Sequence, residues 1–474
     1  MTEDTYDLIV IGAGAVGENV ADYAHKRGLR TAIVESELVG GECSYWACMP
    51  SKALLRSGHA LRAASRLGGA KEAISGGVNA SAVLARRNSF TSGWKDEGQV
   101  AWLKSADIDL LRGRARLTGP RRIEVTTPTG EVHEYVARGA VAIATGSQHA
   151  MPDIDGLVEA APWGTREATS AQRVPESLLV IGGGVAGTEL ATAWASLGST
   201  VTLVARGRLL GGQEPFAGEL VEKGLRELGV DVRVRTDIDR VTRDEKGMAT
   251  AFLNDGSAVT AQEILVATGR VPQTSDLGLE TVGLTPGDWI DVDDTMLVAG
   301  TDWLYAVGDV NHRALLTHQG KYQARAAGEA IAARLHGETV RDTPWGAHVA
   351  TADHAAVPQV TFTDPEVASV GLTEREAQAQ GRNIRAVEYD LGAVAGSALQ
   401  ADGYQGRAKM IVDEDRSVIV GVTFVGQDVA ELLQAATVAV VGEVTLDRLW
   451  HAVPAYPTMN EIWLRLLEAY GRQP

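Results

Sequence analysis

Apolar and polar positions along the chain fall into a succession that occurs twice. Residues 7–35, DLIVIGAGAVGENVADYAHKRGLRTAIVE, open on a short run of aliphatic and β-branched residues. A Gly-x-Gly-x-x-Gly turn follows, then an alanine-rich stretch of helical period, a glycine-containing turn and a second β-branched run. Residues 177–205, SLLVIGGGVAGTELATAWASLGSTVTLVA, repeat the same order. Each copy predicts strand, turn, helix and strand, the context in which this glycine turn holds a dinucleotide. The longest apolar runs, such as that from Ala435 to Val441, fall far short of the roughly 20 residues of a membrane span, so no membrane is expected as a partner.

The three glycines of each motif have different duties. Gly12 and Gly182 are expected at the tight turn, and Gly14 and Gly184 where the backbone approaches a pyrophosphate. Gly17 and Gly187 let the helix pack closely on the sheet. The diphosphate then lies at a helix N-terminus, where free N–H groups and the helix dipole favour negative charge. Two such units predict two nucleotide sites. Their second strands end differently, with Glu35 in the first copy and Ala205 at the equivalent position of the second. A carboxylate there accepts hydrogen bonds from ribose hydroxyls, which suits FAD or NAD. The second copy offers Arg206 and Arg208 instead, whose guanidinium groups welcome a 2′-phosphate, so NADPH is expected over NADH.

At 474 residues the chain is too long for one core, and two to four domains are expected. The formal net charge of −17 argues against nucleic acid as a partner, since a binder needs basic patches to displace counterions from phosphates. The N-terminus carries Glu3, Asp4 and Asp7 rather than a basic stretch, which predicts a cytoplasmic protein without a signal peptide. Only two cysteines are present, Cys43 and Cys48, close together in one loop. In a reducing compartment such a pair is a poor structural staple, leaving redox chemistry, a metal site or coincidence.

That loop, residues 40–52, reads GGECSYWACMPSK and opens an alanine- and leucine-rich helical stretch running towards Leu67. A helix rises about 7.5 Å over five residues, beyond the roughly 7 Å limit for bridging two Cα atoms. A disulfide between the two cysteines therefore requires Cys43 to lie in a turn before the regular helix. Cys48 is then nearer the helix N-terminus, which stabilises a thiolate. Pro50 suits a first-turn position.

With this loop the chain resembles the flavoprotein disulfide reductases, which include dihydrolipoamide dehydrogenase, glutathione reductase and mercuric reductase. Residues 40–52 match their GG-x-C-x4-C-x-P-x-K loop, Gly41 and Lys52 included. GRARL (113–117), with Ala115, resembles the segment passing the FAD adenine, and VAIATGS (141–147), with Thr145 and Gly146, the strand closing the FAD site. VATGRVPQT (266–274), with Gly269, resembles the return from the NAD(P) domain. YAVGDV (305–310) resembles the segment whose Asp309 binds the FAD ribitol, and ALLTHQG (314–320), with Thr317, the one under the flavin ring. VPQVTFTDPEVASVGLTEREA (357–377) resembles the start of the dimerisation domain. The resemblance implies that electrons pass from NADPH through FAD to the Cys43–Cys48 disulfide. It makes Cys48 the thiolate against the flavin and Cys43 the interchange thiol that attacks substrate. It also implies a pair between Lys52 and Glu189, in which Lys52 stabilises the reduced, anionic flavin.

The C-terminal stretch departs from the pattern. Family members carry His-Pro-T-x-x-E there, contributed across a dimer, but this chain reads AYPTMNE at 455–461, with Tyr456 in the histidine position and Glu461 kept. A tyrosine, with an ordinary pKa of about 10 against about 6.5 for histidine, is a poor proton acceptor at neutral pH. Glu461 has a second reading as part of a helix capping box with Thr458. His451 is a weaker candidate base. Mercuric reductase also has a tyrosine there and a non-acidic, arginine-containing NADPH strand end, but it needs a C-terminal cysteine pair that is absent here. Tyr45 and Trp46 are bulky beside the cysteines, and Glu42 stands where threonine is common. The aromatics either stack on a flat acceptor or pack between domains.

The expected fold is α/β, with two Rossmann-like dinucleotide-binding domains for FAD and NADP and a C-terminal α+β dimerisation domain. The boundaries read 1–150 and 272–344 for FAD, 151–271 for NAD(P) and 345–474 for the interface domain of a homodimer. The expected function is reduction of a disulfide or related sulfur substrate by NADPH through FAD and the cysteine pair, with no metal site. The alternative is direct reduction of a quinone or similar acceptor by the flavin, and mercuric-type metal reduction stands behind both.

Overall fold

The computed structural model describes residues 4–472. By contacts the chain divides into two compact units. The first takes the chain up to Pro50, then 88–150 and 270–353; the second takes 51–87, 151–269 and the chain from His354 onward.

The first unit is built on a seven-stranded sheet. Asp109–Arg112, Thr31–Glu35, Asp4–Ile11, Val132–Ile143 and Leu304–Ala306 lie side by side and parallel. The long strand Val132–Ile143 also pairs antiparallel with Arg122–Thr126, which pairs with Arg114–Gly119. Side chains of the first strand alternate between two buried layers: Leu8 and Val10 enter one core, Tyr6, Ile9 and Ile11 the other. Burial on both faces is why this strand reads as a continuous apolar run. Helices Ala15–Lys26 and Thr317–Leu335 cover one face, pressed together through glycines of the second. A Cβ at Gly320 would lie 2.5 Å from Val16, and one at Gly328 2.7 Å from Tyr23.

The second unit holds a four-stranded parallel sheet in the order Asp231–Val234, Thr200–Ala205, Ser177–Ile181 and Glu263–Val266. A three-stranded antiparallel sheet, Ile238–Arg243, Ala249–Leu253 and Ala258–Ala261, adjoins it in sequence. A five-stranded antiparallel sheet is formed by Gln359–Thr361, Glu366–Gly371, Val418–Gly426, Arg407–Asp413 and Ile384–Asp390. Every position of Val418–Gly426 is buried, with helix Leu433–Val441 packed against it. Residues 51–87 belong here because Leu54, Leu55, Val83 and Leu84 share one core with Leu178, Trp194 and Leu203 of the parallel sheet region and with Val367 and Val425 of the antiparallel one. The segments expected as separate NAD(P) and interface domains thus fall in one compact unit. No helix among the described residues is long and apolar enough to cross a membrane.

One half-buried carboxyl in the antiparallel sheet gives a pH signature. Burial pushes Glu366 up to about 7, against a hydrogen bond from the Ala430 N–H at 3.1 Å and with added repulsion from Asp428 and Asp364. Its unfolded value lies near 4.5. The contribution of this group is therefore fully present below about 4.5 and lost as pH rises through about 7. Glu366→Gln keeps the acceptor for Ala430. It is expected to match the wild type in denaturant melts at acid pH and to exceed it at pH ~8 by up to about 3 kcal/mol. Equal stability of the two proteins at both pH values is the contrary result.

Candidate functional site

The first glycine turn joins strand Asp4–Ile11 to helix Ala15–Lys26. Gly12 has φ 102°, and a Cβ there would lie 2.6 Å from the Ala144 carbonyl oxygen; at Gly17 it would lie 1.9 Å from the Gly12 carbonyl oxygen. Both positions exclude a side chain. Gly14 instead faces open space, its nearest neighbour being the Gly41 Cα at 4.0 Å from an added Cβ. The loop Gly40–Gly41 is tied down by the Gly40 N–H on the Ala13 carbonyl at 2.7 Å. At the end of the second strand Glu35 accepts from the N–H groups of Ala13 and Glu37, each at 2.8 Å. Burial pushes its carboxyl up, against those two donors. A glycine cradle open on one side and a carboxylate at the strand end fit the pyrophosphate and ribose of a dinucleotide.

Further along this unit Asp309 accepts from the Ser147 hydroxyl at 2.5 Å and lies 3.5 Å from the Arg270 guanidinium. Arg270 also donates to the Ser147 hydroxyl at 2.5 Å, and the Thr145 hydroxyl donates to the Gln273 carbonyl at 2.8 Å. Gly146 takes φ 74° between them. Ala115 is buried in strand Arg114–Gly119. Ser147 and Arg270 are marked as site residues by their contact with Asp309 alone.

Cys43 lies in a short helix of its own, Gly41–Tyr45, and not in a plain turn; the chain breaks at Trp46 and a second helix, Cys48–Ser65, begins at Cys48. The break lets the two thiols meet. They are unlinked, and the neighbouring Cys48 thiol, followed by burial, holds the Cys43 thiol far above its ordinary range, against the Thr317 hydroxyl and the Lys321 charge. The Cys48 sulfur lies 3.3 Å from the hydroxyl of Thr317, first residue of helix Thr317–Leu335. Tyr45 is buried, its hydroxyl donating to the Val39 carbonyl at 3.1 Å, which is a packing role. Trp46 remains partly exposed, its ring 5.6 Å from that of Tyr45. Glu18, in the first turn of Ala15–Lys26, is pushed up to about 7 by burial.

In the second unit the Lys52 ammonium donates to Glu189 Oε2 at 2.6 Å. Glu189 is buried and its other oxygen accepts the Phe362 N–H at 2.9 Å, while the Phe362 ring lies 5.0 Å from the ammonium. Both carboxylate oxygens are engaged, which orients Lys52. Phe362 has no sequence signal of its own.

The second glycine turn repeats the first. A Cβ at Gly182 would lie 2.3 Å from the Ala267 carbonyl oxygen and one at Gly187 2.0 Å from the Gly182 carbonyl oxygen, whereas Gly184 has nothing within 4 Å. Gly269 takes φ 149° just before the chain leaves this unit. At the strand end Arg206 is exposed, but Arg208 is turned back on its own loop, donating to the carbonyls of Gly211 at 2.9 Å and Gln213 at 2.8 Å. That contact gives Arg208 a loop-tying role.

At the C-terminus Tyr456 is 77% exposed, and His451 is also exposed. The capping box at Glu461 does not form. The Thr458 hydroxyl donates to the Ala455 carbonyl at 2.7 Å, and Glu461 is buried with Oε2 unpartnered. The helix Glu461–Tyr470 starts without a side-chain cap, the Glu461 N–H donating at 3.2 Å to the Thr458 carbonyl and not to its hydroxyl. Among the described residues no group of three or more His, Cys, Asp or Glu side chains could hold a metal ion.

The sequence pattern of pyridine nucleotide-disulphide oxidoreductases matches residues 6–332, and that of their dimerisation domain matches residues 357–466. The chain belongs to the pyridine nucleotide-disulphide oxidoreductase family, flavoprotein enzymes that bind FAD and a pyridine nucleotide. It is similar to the dihydrolipoyl dehydrogenase of Chlorobaculum tepidum, 32% identical over 473 residues that cover 96% of this chain and 95% of that one. The mercuric reductase of Streptomyces lividans is 32% identical over 467 residues, covering 96% and 94%. Among solved structures the HOCl-induced flavoprotein disulfide reductase RclA of Escherichia coli, as its Cu(II) complex, shares the fold with a TM-score of 0.83 over 99% of both chains at 22% identity.

Proposed function

We propose that this chain uses NADPH to reduce a disulfide or related sulfur substrate through FAD and the Cys43–Cys48 pair. The reading rests above all on the two cysteines flanking the break between helices Gly41–Tyr45 and Cys48–Ser65, with the Cys48 sulfur 3.3 Å from the Thr317 hydroxyl. Bound FAD supplies the two-electron step between the nicotinamide and the cysteine disulfide. The Cys43 sulfur attacks one sulfur of the substrate, its thiol proton passing to the first released sulfur, and a mixed disulfide remains. Cys48 then attacks the Cys43 sulfur, releases the second thiol and restores the Cys43–Cys48 disulfide. Over one cycle NADPH, a proton and a disulfide become NADP+ and two thiols. Lys52, oriented by Glu189, keeps a positive charge one helical turn beyond Cys48. Ala205 and the exposed Arg206 favour NADPH over NADH.

We further propose an FAD-binding part at 1–150 and 272–344, an NADP-binding part at 151–271 and an interface part at 345–474, acting as a cytoplasmic homodimer. In this reading Gly12, Gly14, Gly17, Glu35, Gly41, Ala115, Thr145, Gly146, Asp309 and Thr317 line the FAD site, and Gly182, Gly184, Gly187, Arg206 and Gly269 the NADP site. Glu461, freed of the capping role, keeps its unpartnered oxygen for the interface.

A second reading, direct reduction of a quinone or a metal ion such as Cu(II), draws on Tyr456, which is 77% exposed and stands where family members carry histidine. NADPH oxidation by the holoenzyme, measured against disulfides, quinones and Cu(II), separates the two. Turnover with at least one disulfide at several times the rate of any quinone or Cu(II) is expected; turnover with those acceptors and none of the disulfides would favour the second reading.

A further inference from the structure

In an open α/β sheet the nucleotide lies beyond the carboxyl ends of the strands, with its adenosine half over the strand that follows the glycine turn and helix. Here that strand is Thr200–Ala205, and its outer neighbour is Asp231–Val234, paired in parallel with Val234 opposite Ala205. The chain leaves the outer strand through Arg235, whose N–H donates to the Gly207 carbonyl at 3.4 Å, and Thr236, whose N–H donates to the Ala205 carbonyl at 3.1 Å. Arg235 is therefore bound by its backbone to the very turn that carries Arg206. It takes a left-handed φ of 54°, which is uncommon for a residue other than glycine or asparagine.

The other arginines of this edge are occupied. Arg208 is held by its own loop through Nη2, its Nη1 buried without a partner, Arg233 is held by Asp231 and Ser257, and Arg240 stacks on Phe252 at 4.4 Å. Arg206 and Arg235 are both exposed, and their guanidinium groups make no hydrogen bond or ion pair within the described residues. In a chain with 61 acidic against 44 basic residues, two adjacent arginines without a carboxylate call for an anion from outside. Two guanidinium groups on neighbouring strand ends match the several oxygens of one phosphate better than one can alone.

We propose that Arg235 forms, with Arg206, the clamp for the 2′-phosphate of NADPH, and so determines coenzyme specificity from the outer strand. The inference rests on the NADPH reading given above, and Arg235 takes the part that Arg208 has given to its own loop.

The test is calorimetric binding of 2′,5′-ADP and 5′-AMP, two ligands that differ by the 2′-phosphate, to the holoenzyme and to its Arg235→Asn and Arg206→Ala variants. Asparagine tolerates the left-handed backbone, so the substitution removes the charge without straining the turn. The NADPH-to-NADH ratio of kcat/KM is measured in parallel, with Arg235→Glu as the charge-reversed variant. A wild type that prefers 2′,5′-ADP, an Arg235→Asn variant that loses about tenfold of that preference, and a larger loss in Arg235→Glu are expected. If the wild type prefers 2′,5′-ADP, Arg206→Ala loses the preference and both Arg235 variants keep it, the role of Arg235 is overturned while the NADPH reading stands. If the wild type shows no preference for 2′,5′-ADP and favours NADH, the NADPH reading falls and the clamp with it.

Discussion

Cys43→Ala loses disulfide-dependent NADPH oxidation by at least about 10³-fold, the size expected when the only nucleophile is removed. Nothing else in the chain can take its place, because Cys48 is the sole other cysteine. Cys48 also sits at the first turn of the long helix with its sulfur against Thr317, which in the proposed cycle makes it the resolving thiol. The measurement is steady-state NADPH consumption with a disulfide that the wild type reduces, alongside a quinone. Cys43→Ala that keeps disulfide turnover within tenfold of wild type would remove the thiol from the mechanism. Quinone turnover that survives in the variant would show that electrons still reach the flavin when the thiol is gone.

Glu189→Gln slows reduction of the bound flavin by NADPH about 10²-fold. The buried carboxylate binds the Lys52 ammonium with one oxygen and the Phe362 N–H with the other. Glutamine can still accept from Phe362 but carries no charge, so Lys52 loses its partner while the backbone contact survives. Breaking one side of a buried ion pair costs about 3–5 kcal/mol. That cost falls on stability; the rate loss comes from the misplaced Lys52 charge and is expected at about 10²-fold, the lower end for removing one preorganised donor, because Lys52 keeps some contact with solvent. Rapid-mixing measurement of flavin bleaching by NADPH reads the effect, and thermal melting controls for misfolding. A normally folded Glu189→Gln that is reduced within twofold of the wild-type rate would leave Lys52 with a packing role only.

Both residues belong to patterns that could be read without coordinates, and their partners could not. Cys43, Cys48 and Lys52 are spaced within one loop, and Glu189 stands at a set distance from the second glycine turn. Phe362, by contrast, meets Glu189 from more than a hundred and fifty residues away, and its contribution is mainly a backbone N–H that any residue but proline could supply. Thr317 reaches Cys48 over a still longer gap. Arg235 is an ordinary charge in sequence and becomes a candidate only because its strand lies next to Thr200–Ala205.

Local backbone demands are written into the residues that meet them. Gly12 and Gly182, with φ of 102° and 118°, need glycine wherever the rest of the chain goes, and the apolar runs on either side dictate strand and helix by their period. By itself, then, the sequence determined two strand–turn–helix–strand units, a cysteine pair at the head of a helix, and the family to which they belong. The tertiary structure alone decided that residues 51–87 share a core with the second unit, and that Arg208 closes on its own loop. It also decided that the Glu461 N–H bonds to the Thr458 carbonyl in place of the Thr458 hydroxyl. Each of these is a choice among hydrogen-bond or packing partners that are equally available to the local chain. Such choices are settled by which distant residues the fold brings within reach, and no short stretch of sequence carries that information.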